Sequence, residues 1–136
     1  VELQNQIIYY VGPSPAKPGQ IIGSAGPTTS GRMDSYAPLL LEHGLKGMIG
    51  KGERSSGVVE AMKKCGAVYL ATVGGAGAYL ARRITASRPR AYSDLDGASD
   101  VMACNPTALC RIMDICTLSK KTKKIWRSAD YHVAIW

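Results

Sequence analysis

Residues 48–72 read MIGKGERSSGVVEAMKKCGAVYLAT, and this stretch decides the fold. Met48 and Ile49 are an apolar pair that fits a short buried strand, and Gly50-Lys51-Gly52 is a turn leading out of it. Ser55 or Ser56 can cap the helix that follows. In that helix Val58, Val59, Met62 and Cys65 form one apolar stripe, Lys63 and Lys64 fall outside it, and Gly66 supplies the stop. Val68 to Thr72 then returns as a second strand. Strand, turn and helix in succession are the alternation of an α/β core.

The same alternation extends in both directions. Gln6 to Val11, a β-branched and aromatic run stopped by Gly12-Pro13, reads as a strand. Pro13, Pro15 and Pro18 predict an extended loop, and Gln20 to Ser24 a second short strand that delivers the chain into Gly26-Pro27-Thr28-Thr29. Asp34 or Ser35 can cap a helix that carries Tyr36, Leu39, Leu40 and His43 at helical spacing and ends at Gly44; Pro38 is tolerated in its first turn. Downstream, Gly74-Gly75 is a turn and Ala76 to about Arg83 a helix. The expected fold class is therefore α/β, with a sheet at least partly parallel. Beyond Asp96 the pattern weakens. Asp100 to Ser119 reads as one helix or as irregular chain, and Asn105-Pro106 interrupts its periodicity.

At 136 residues the chain is one domain's worth, short for a complete two-domain enzyme. Apolar residues make up 46%, yet charges interrupt every stretch long enough to span a bilayer, so no membrane span is expected. The first residues lack a basic segment followed by an apolar run, which makes the cytoplasm the expected compartment. Cys65, Cys104, Cys110 and Cys116 match neither a redox pair nor a zinc knuckle, and reduced packed thiols are expected, with no metal site.

The formal charge of +7 comes in part from Lys120, Lys121, Lys123, Lys124 and Arg127, and from Arg82, Arg83, Arg88 and Arg90. Neither cluster is interleaved with stacking aromatics and phenylalanine is absent, so nucleic acid is not the expected partner. A solvated basic face or attraction of dianionic substrates fits better.

Chemistry concentrates in Gly26-Pro27-Thr28-Thr29-Ser30-Gly31-Arg32-Met33-Asp34 and in Lys51-Gly52-Glu53-Arg54. Each is a glycine-bounded turn leading toward a helix, where hydroxyls, amides and fixed cations can hold a small dicarboxylate. Thr28 and Thr29 equally suit a turn or helix cap, Arg32 an ion pair with Asp34 or an exposed charge, and Lys51 a solvated loop. Arg54 either supports Lys51 electrostatically or is an exposed residue before a helix cap; Asp34 caps a helix or orients Arg32. Gly74-Gly75-Ala76-Gly77-Ala78, followed by Asp94 and Asp96, invites a dinucleotide reading, but Leu80 stands where the fingerprint expects Gly or Ala. A tight turn, or amides facing substrate, fits Gly74 and Gly75 better. His43 and His132 lack ligand-like neighbours in sequence.

These runs, with Tyr10-Val11-Gly12-Pro13, Pro18-Gly19-Gln20-Ile21-Ile22-Gly23-Ser24-Ala25 and Lys63-Lys64-Cys65-Gly66, closely resemble the beta subunit, or carboxy-terminal domain, of class I fumarate hydratases. Those iron-sulfur hydro-lyases are related to L(+)-tartrate dehydratase. The resemblance covers residues 1–96 and leaves 97–136 as a divergent tail, because the usual helix start and valine-rich last strand do not follow. A segment that precedes Val1 in the family, with an Arg-Asp-containing motif, is expected to be missing.

The resemblance implies a swivelling three-layer β/β/α domain that clamps fumarate or (S)-malate. It makes Thr28 the proton-transfer residue, Arg32, Lys51 and Thr29 substrate-binding residues, and Arg54, Asp34, Gly26, Gly74 and Gly75 supporting ones. It places a 4Fe-4S cluster on a cognate alpha subunit and implies a homodimeric or heterotetrameric assembly. Tartrate dehydration, or a non-catalytic anion-binding module, is the alternative.

Overall fold

The computed structural model describes residues 2–91, 101–104 and 133–135, with side chains to residue 88. The hydrophobic run near the start forms β1 (Ile7–Tyr9), wholly buried, and a 3-10 turn (Ser30–Met33) precedes α1 (Ala37–Glu42). Then come β2 (Gly47–Gly50), α2 (Ser56–Cys65), β3 (Val68–Ala71), α3 (Gly77–Ala81), β4 (Ser87–Ala91), β5 (Val101–Cys104) and β6 (Val133–Ile135). One mixed sheet results, in the order β3-β2-β1-β6-β5-β4. β3, β2, β1 and β6 run parallel, while β5 is antiparallel to both its neighbours. The expectation of an α/β fold with a sheet at least partly parallel is met.

Two crossovers, β1-α1-β2 and β2-α2-β3, put their helices against one face of this sheet. Ile8, Tyr10 and Met48 project from it to meet Ala37 and Leu41 of α1, Leu45, and Val58 of α2, with Met62 and Cys65 packed at the margin. Burying a side chain of the size of Leu41 or Met48 contributes about 1.5–3 kcal/mol relative to leaving it exposed. Val58, Met62 and Cys65 of the stripe foreseen on α2 therefore form its packing face, with Ala61 in place of Val59, and the helix ends at Gly66 in the left-handed conformation. Ile7 and Tyr9, alternating with Ile8 and Tyr10, serve the other face. There the Tyr9 hydroxyl donates to the Ala25 carbonyl at 2.8 Å.

Three local expectations need correction. Gln20 to Ser24 is not a strand. Prolines 15 and 18 deprive the neighbouring chain of amide donors, and the segment is held by the Ser14 amide donating to Ser24 O (3.1 Å) and the Ser24 amide to Ser14 Oγ (2.8 Å). The helix predicted from Asp34 or Ser35 begins later, with Tyr36 at the cap position and no capping side chain, because Asp34 is engaged elsewhere. Within Asp100 to Ser119, Val101–Cys104 is a strand rather than helix or irregular chain. Asp94, Asp96, Cys110, Cys116, the basic run from Lys120 to Arg127 and His132 lie outside the described residues, as do the Arg90 and Cys104 side chains.

Candidate functional site

Parallel strands β1 and β2 stop pairing with each other at their carboxyl ends, and the segment Pro27 to Ser30 enters between them. Tyr10 donates to Ile49 O at 2.8 Å as the last link of that pair. Beyond it the Thr28 amide donates to Tyr10 O (2.9 Å), the Lys51 amide to Thr28 O (2.9 Å) and the Ser30 amide to Lys51 O (2.9 Å). Val11 bridges Pro27 on one side of the wedge and Lys51 bridges Thr29 on the other. Thr72 extends the far edge by donating to Gly50 O at 2.9 Å. The two chemically suggestive loops are thus backbone neighbours.

The side chain of Lys51 is exposed and lies across the glycine turn that follows β3. A Cβ placed on Gly74 would be 3.6 Å from Lys51 Cδ and 3.9 Å from Nζ. Thr28 is half-buried and Thr29 exposed, with its methyl toward Gly52. Arg32 is exposed on the 3-10 turn, and its guanidinium makes no ion pair among the described residues. Gly75 completes the turn beside Gly74 at a left-handed φ of 85°.

Gly26 packs backbone to backbone against Gly77 at the start of α3. A Cβ on Gly26 would sit 3.3 Å from Gly77 Cα, a Cβ on Gly77 would sit 3.0 Å from Gly26 N, and the Ala25 amide donates to Gly77 O at 3.1 Å. Gly50 is constrained more tightly still. A Cβ there would fall 1.8 Å from Ser30 Oγ, so the fully buried Ser30 hydroxyl occupies the space a side chain would need.

Asp34 departs from both of its sequence readings, and Arg54 departs from the exposed one. Asp34 neither caps its own helix nor orients Arg32. Its Oδ1 accepts from Arg54 Nε at 2.8 Å and its Oδ2 accepts the Ser55 amide at 2.7 Å. The start of α2 is therefore satisfied by a carboxylate of the protein itself, which suits the partial positive charge there. Ser55 holds the cap position, as expected, but makes no capping side-chain bond.

The Arg54 side chain is only 1% exposed, with its Cζ 5.2 Å from the Tyr10 ring centre and 5.3 Å from that of Tyr69. Nη1 meets Met48 Sδ at 3.6 Å. Among the described residues, buried Arg54 Nη2 and Tyr10 Oη meet no hydrogen-bond partner of good geometry, although the two side chains adjoin. Burial pushes the Tyr10 phenol above its ordinary pKa, against the lowering pull of the Arg54 charge.

Two further features lie apart from the strand ends. His43 sits at the end of α1 with Nδ1 2.8 Å from Leu39 O, a contact that serves the helix terminus. A cavity of about 490 Å3 lies between the proline-rich loop and α3, lined by Ser14, Lys17, Gln20, Ser24 and Arg82 among others, and none of Thr28, Arg32 and Lys51 lines it. Among the described residues no three of His, Cys, Asp and Glu come together to hold a metal ion. No helix among them is long and apolar enough to cross a membrane.

The architecture defines an α/β domain with a hydroxyl- and lysine-bearing loop cluster at the carboxyl ends of parallel strands, the place where open α/β sheets gather ligands. A family model described as Fumarase C-terminus matches residues 1–102, and the chain belongs to that family. It is 46% identical over 82 residues to the protein named fumarate hydratase class I, anaerobic, of Escherichia coli, covering 60% of this chain and 15% of that protein. Over 76 residues it is 49% identical to fumarate hydratase 2 of Leishmania major, covering 55% and 13%. A more distant relative is the putative L(+)-tartrate dehydratase subunit beta of Methanocaldococcus jannaschii, 33% identical over 86 residues, covering 61% and 44%. The chain thus spans a small part of the fumarate hydratases it matches.

Proposed function

We propose that this domain is the substrate-clamping portion of a class I fumarate hydratase, interconverting fumarate and (S)-malate together with a cluster-bearing alpha chain in the cytoplasm. The observation that carries the reading is the insertion of Pro27 to Ser30 between β1 and β2, which joins Thr28 to Lys51 through a 2.9 Å backbone bond. Its relatives at 46% and 49% identity supply the reaction. The finer fold assignment, a swivelling three-layer β/β/α domain within a homodimer or heterotetramer, belongs to the same proposal.

In this reading Lys51 and Arg32 hold the substrate carboxylates, Arg32 by a planar fork that can engage both oxygens of one group. Thr29 adds a hydroxyl, and the Gly74-Gly75 turn keeps a side chain away from Lys51. Thr28 moves the proton at the carbon next to the hydroxyl-bearing one. A threonine hydroxyl is a poor base, and the charges of Arg32 and Lys51 favour its deprotonated form. When bound, a 4Fe-4S cluster on the alpha chain supplies a Lewis acid for the departing or entering hydroxyl.

The test is co-expression with a cognate alpha subunit and measurement of fumarate absorbance on adding malate. Activity is expected, with Thr28→Ala lowering kcat by about 10²- to 10⁴-fold, the usual worth of a positioned proton-transfer group. An unchanged kcat in Thr28→Ala would remove Thr28 from the chemistry, and an inactive pair would leave the anion-binding module. The 33% identical tartrate dehydratase relative favours one second reading, in which L(+)-tartrate is turned over faster than malate by the same pair.

A further inference from the structure

We infer that Tyr69 is a positioning residue for the proposed clamp: its phenol ties the Thr28 loop to the Lys51 loop. The inference rests on the clamp reading above. Tyr69 lies on β3 and its ring packs partly against the core, so the sequence marks it as an ordinary strand residue. Its hydroxyl has a more specific position. It lies 2.9 Å from Gly52 O and 3.0 Å from Ser30 Oγ.

A carbonyl oxygen can only accept, so Tyr69 gives its single hydroxyl proton to Gly52. Ser30 then donates to the Tyr69 oxygen. One phenol therefore joins the residue after Lys51 to a residue two positions beyond Thr28. The same ring lies 5.3 Å from Arg54 Cζ, and Arg54 binds Asp34, the last residue of the threonine-bearing run. Phenol and guanidinium thus link the same two loops at separate points.

One partner would satisfy the hydroxyl of a partly buried tyrosine, whereas Tyr69 has two, one from each loop. The bridge fixes the separation of two loops whose side chains are proposed to act on one substrate. Alignment of this kind is costly to lose, since a displacement of about 1 Å can lower a rate roughly 10²-fold. Tyr69 Oη is assigned no contact with substrate. Its influence passes through the Ser30 hydroxyl and the Gly52 carbonyl.

Tyr69→Phe removes one oxygen and keeps the ring, so it isolates the bridge. The full chain, assembled with its alpha partner, is compared as wild type, Tyr69→Phe and Leu41→Ala, the last being a core truncation on α1. Amide exchange at Lys51 and Ser30 is expected to speed up about five- to ten-fold in Tyr69→Phe relative to amides of β1, the scale of one lost hydrogen bond. We expect kcat to fall about ten-fold or more while KM moves less than about three-fold. Leu41→Ala should lower the melting temperature at least as far and leave kcat per folded molecule unchanged.

Unaltered exchange at Lys51 and Ser30, or an unaltered kcat, would overturn the inference. So would a fall in kcat that Leu41→Ala reproduces. A wild-type pair without turnover would sink the proposed function instead, and the exchange comparison would then decide the bridge alone.

Discussion

Arg54 Nε donates to Asp34 Oδ1 at 2.8 Å, and the Arg54 side chain is 1% exposed against 18% for Asp34. The pair joins the end of the 3-10 turn to the start of α2 beneath the candidate site. Such a pair adds modest net stability over an apolar replacement, because removing both charges from water offsets much of their attraction. Losing one partner is another matter.

Asp34→Ala is expected to cost about 3–5 kcal/mol, because it leaves a buried guanidinium unpaired and frees the Ser55 amide. Asp34→Ala with Arg54→Met should recover much of that loss, since no unpaired charge remains. Urea unfolding of the two variants checks this. Equal losses in both would contradict the argument.

Gly50→Ala brings a methyl group to within 1.8 Å of the Ser30 hydroxyl position, and Ser30 is fully buried. The expected loss is about 1–3 kcal/mol, typical of overpacking a filled interior. Adding Ser30→Gly should relieve it in part. Thermal unfolding of the single and double variants measures the difference.

Tyr10 supplies a pH prediction. Burial holds its phenol above the ordinary value of 10.0, so in alkali the unfolded chain loses this proton before the folded one does. The folded state then binds more protons, and stability falls as pH rises. The contribution is fully present below pH 10.0, the unfolded value, and is lost as pH rises through it toward the higher folded value. In Tyr10→Phe the alkaline loss should be shallower than in wild type, as read from unfolding midpoints between neutral and alkaline pH.

Lys51→Met and Gly74→Val separate the charge of the lysine from its placement. Removing the ammonium is expected to lower kcat/KM of the assembled enzyme by about 10- to 100-fold, the worth of a charged hydrogen bond. Gly74→Val keeps the charge and crowds the Lys51 stem, which passes 3.6 Å from the added Cβ, so it should raise KM with a smaller loss. Steady-state kinetics with malate test both. An unchanged KM in each would remove Lys51 from substrate binding.

The elements legible in the sequence were those with a local cause. The stripe of Val58, Met62 and Cys65 on α2, its stop at Gly66 and the buried runs of β1 and β2 all follow from periodicity and breakers. Arg54 was not legible in that way. Its partners Asp34, Tyr10 and Tyr69 come from three separate segments, and a cation just before a helix start looks solvent-facing until they surround it. Tyr69 was legible only as part of the strand from Val68 to Thr72; its links to Gly52 and Ser30 come from other segments. Gln20 to Ser24 misled in the opposite direction: its apolar pair suggested a strand, but the proline-rich chain beside it offers too few donors for a ladder. The backbone links of Thr28 and Ser30 to Lys51 show where the loops meet, which turn chemistry alone could not.

The sheet order carries a kinetic consequence. β1, β2 and β3 can zip together through nearby crossovers, whereas the other flank of β1 pairs Ile7 with Val133. Closing that pairing demands the longest excursion of polypeptide in the fold, so refolding should be governed by it, and until it closes β1 presents a bare apolar edge to neighbouring molecules. Dilute conditions during renaturation should therefore raise recovery more than any strengthening of the α1 and α2 packing.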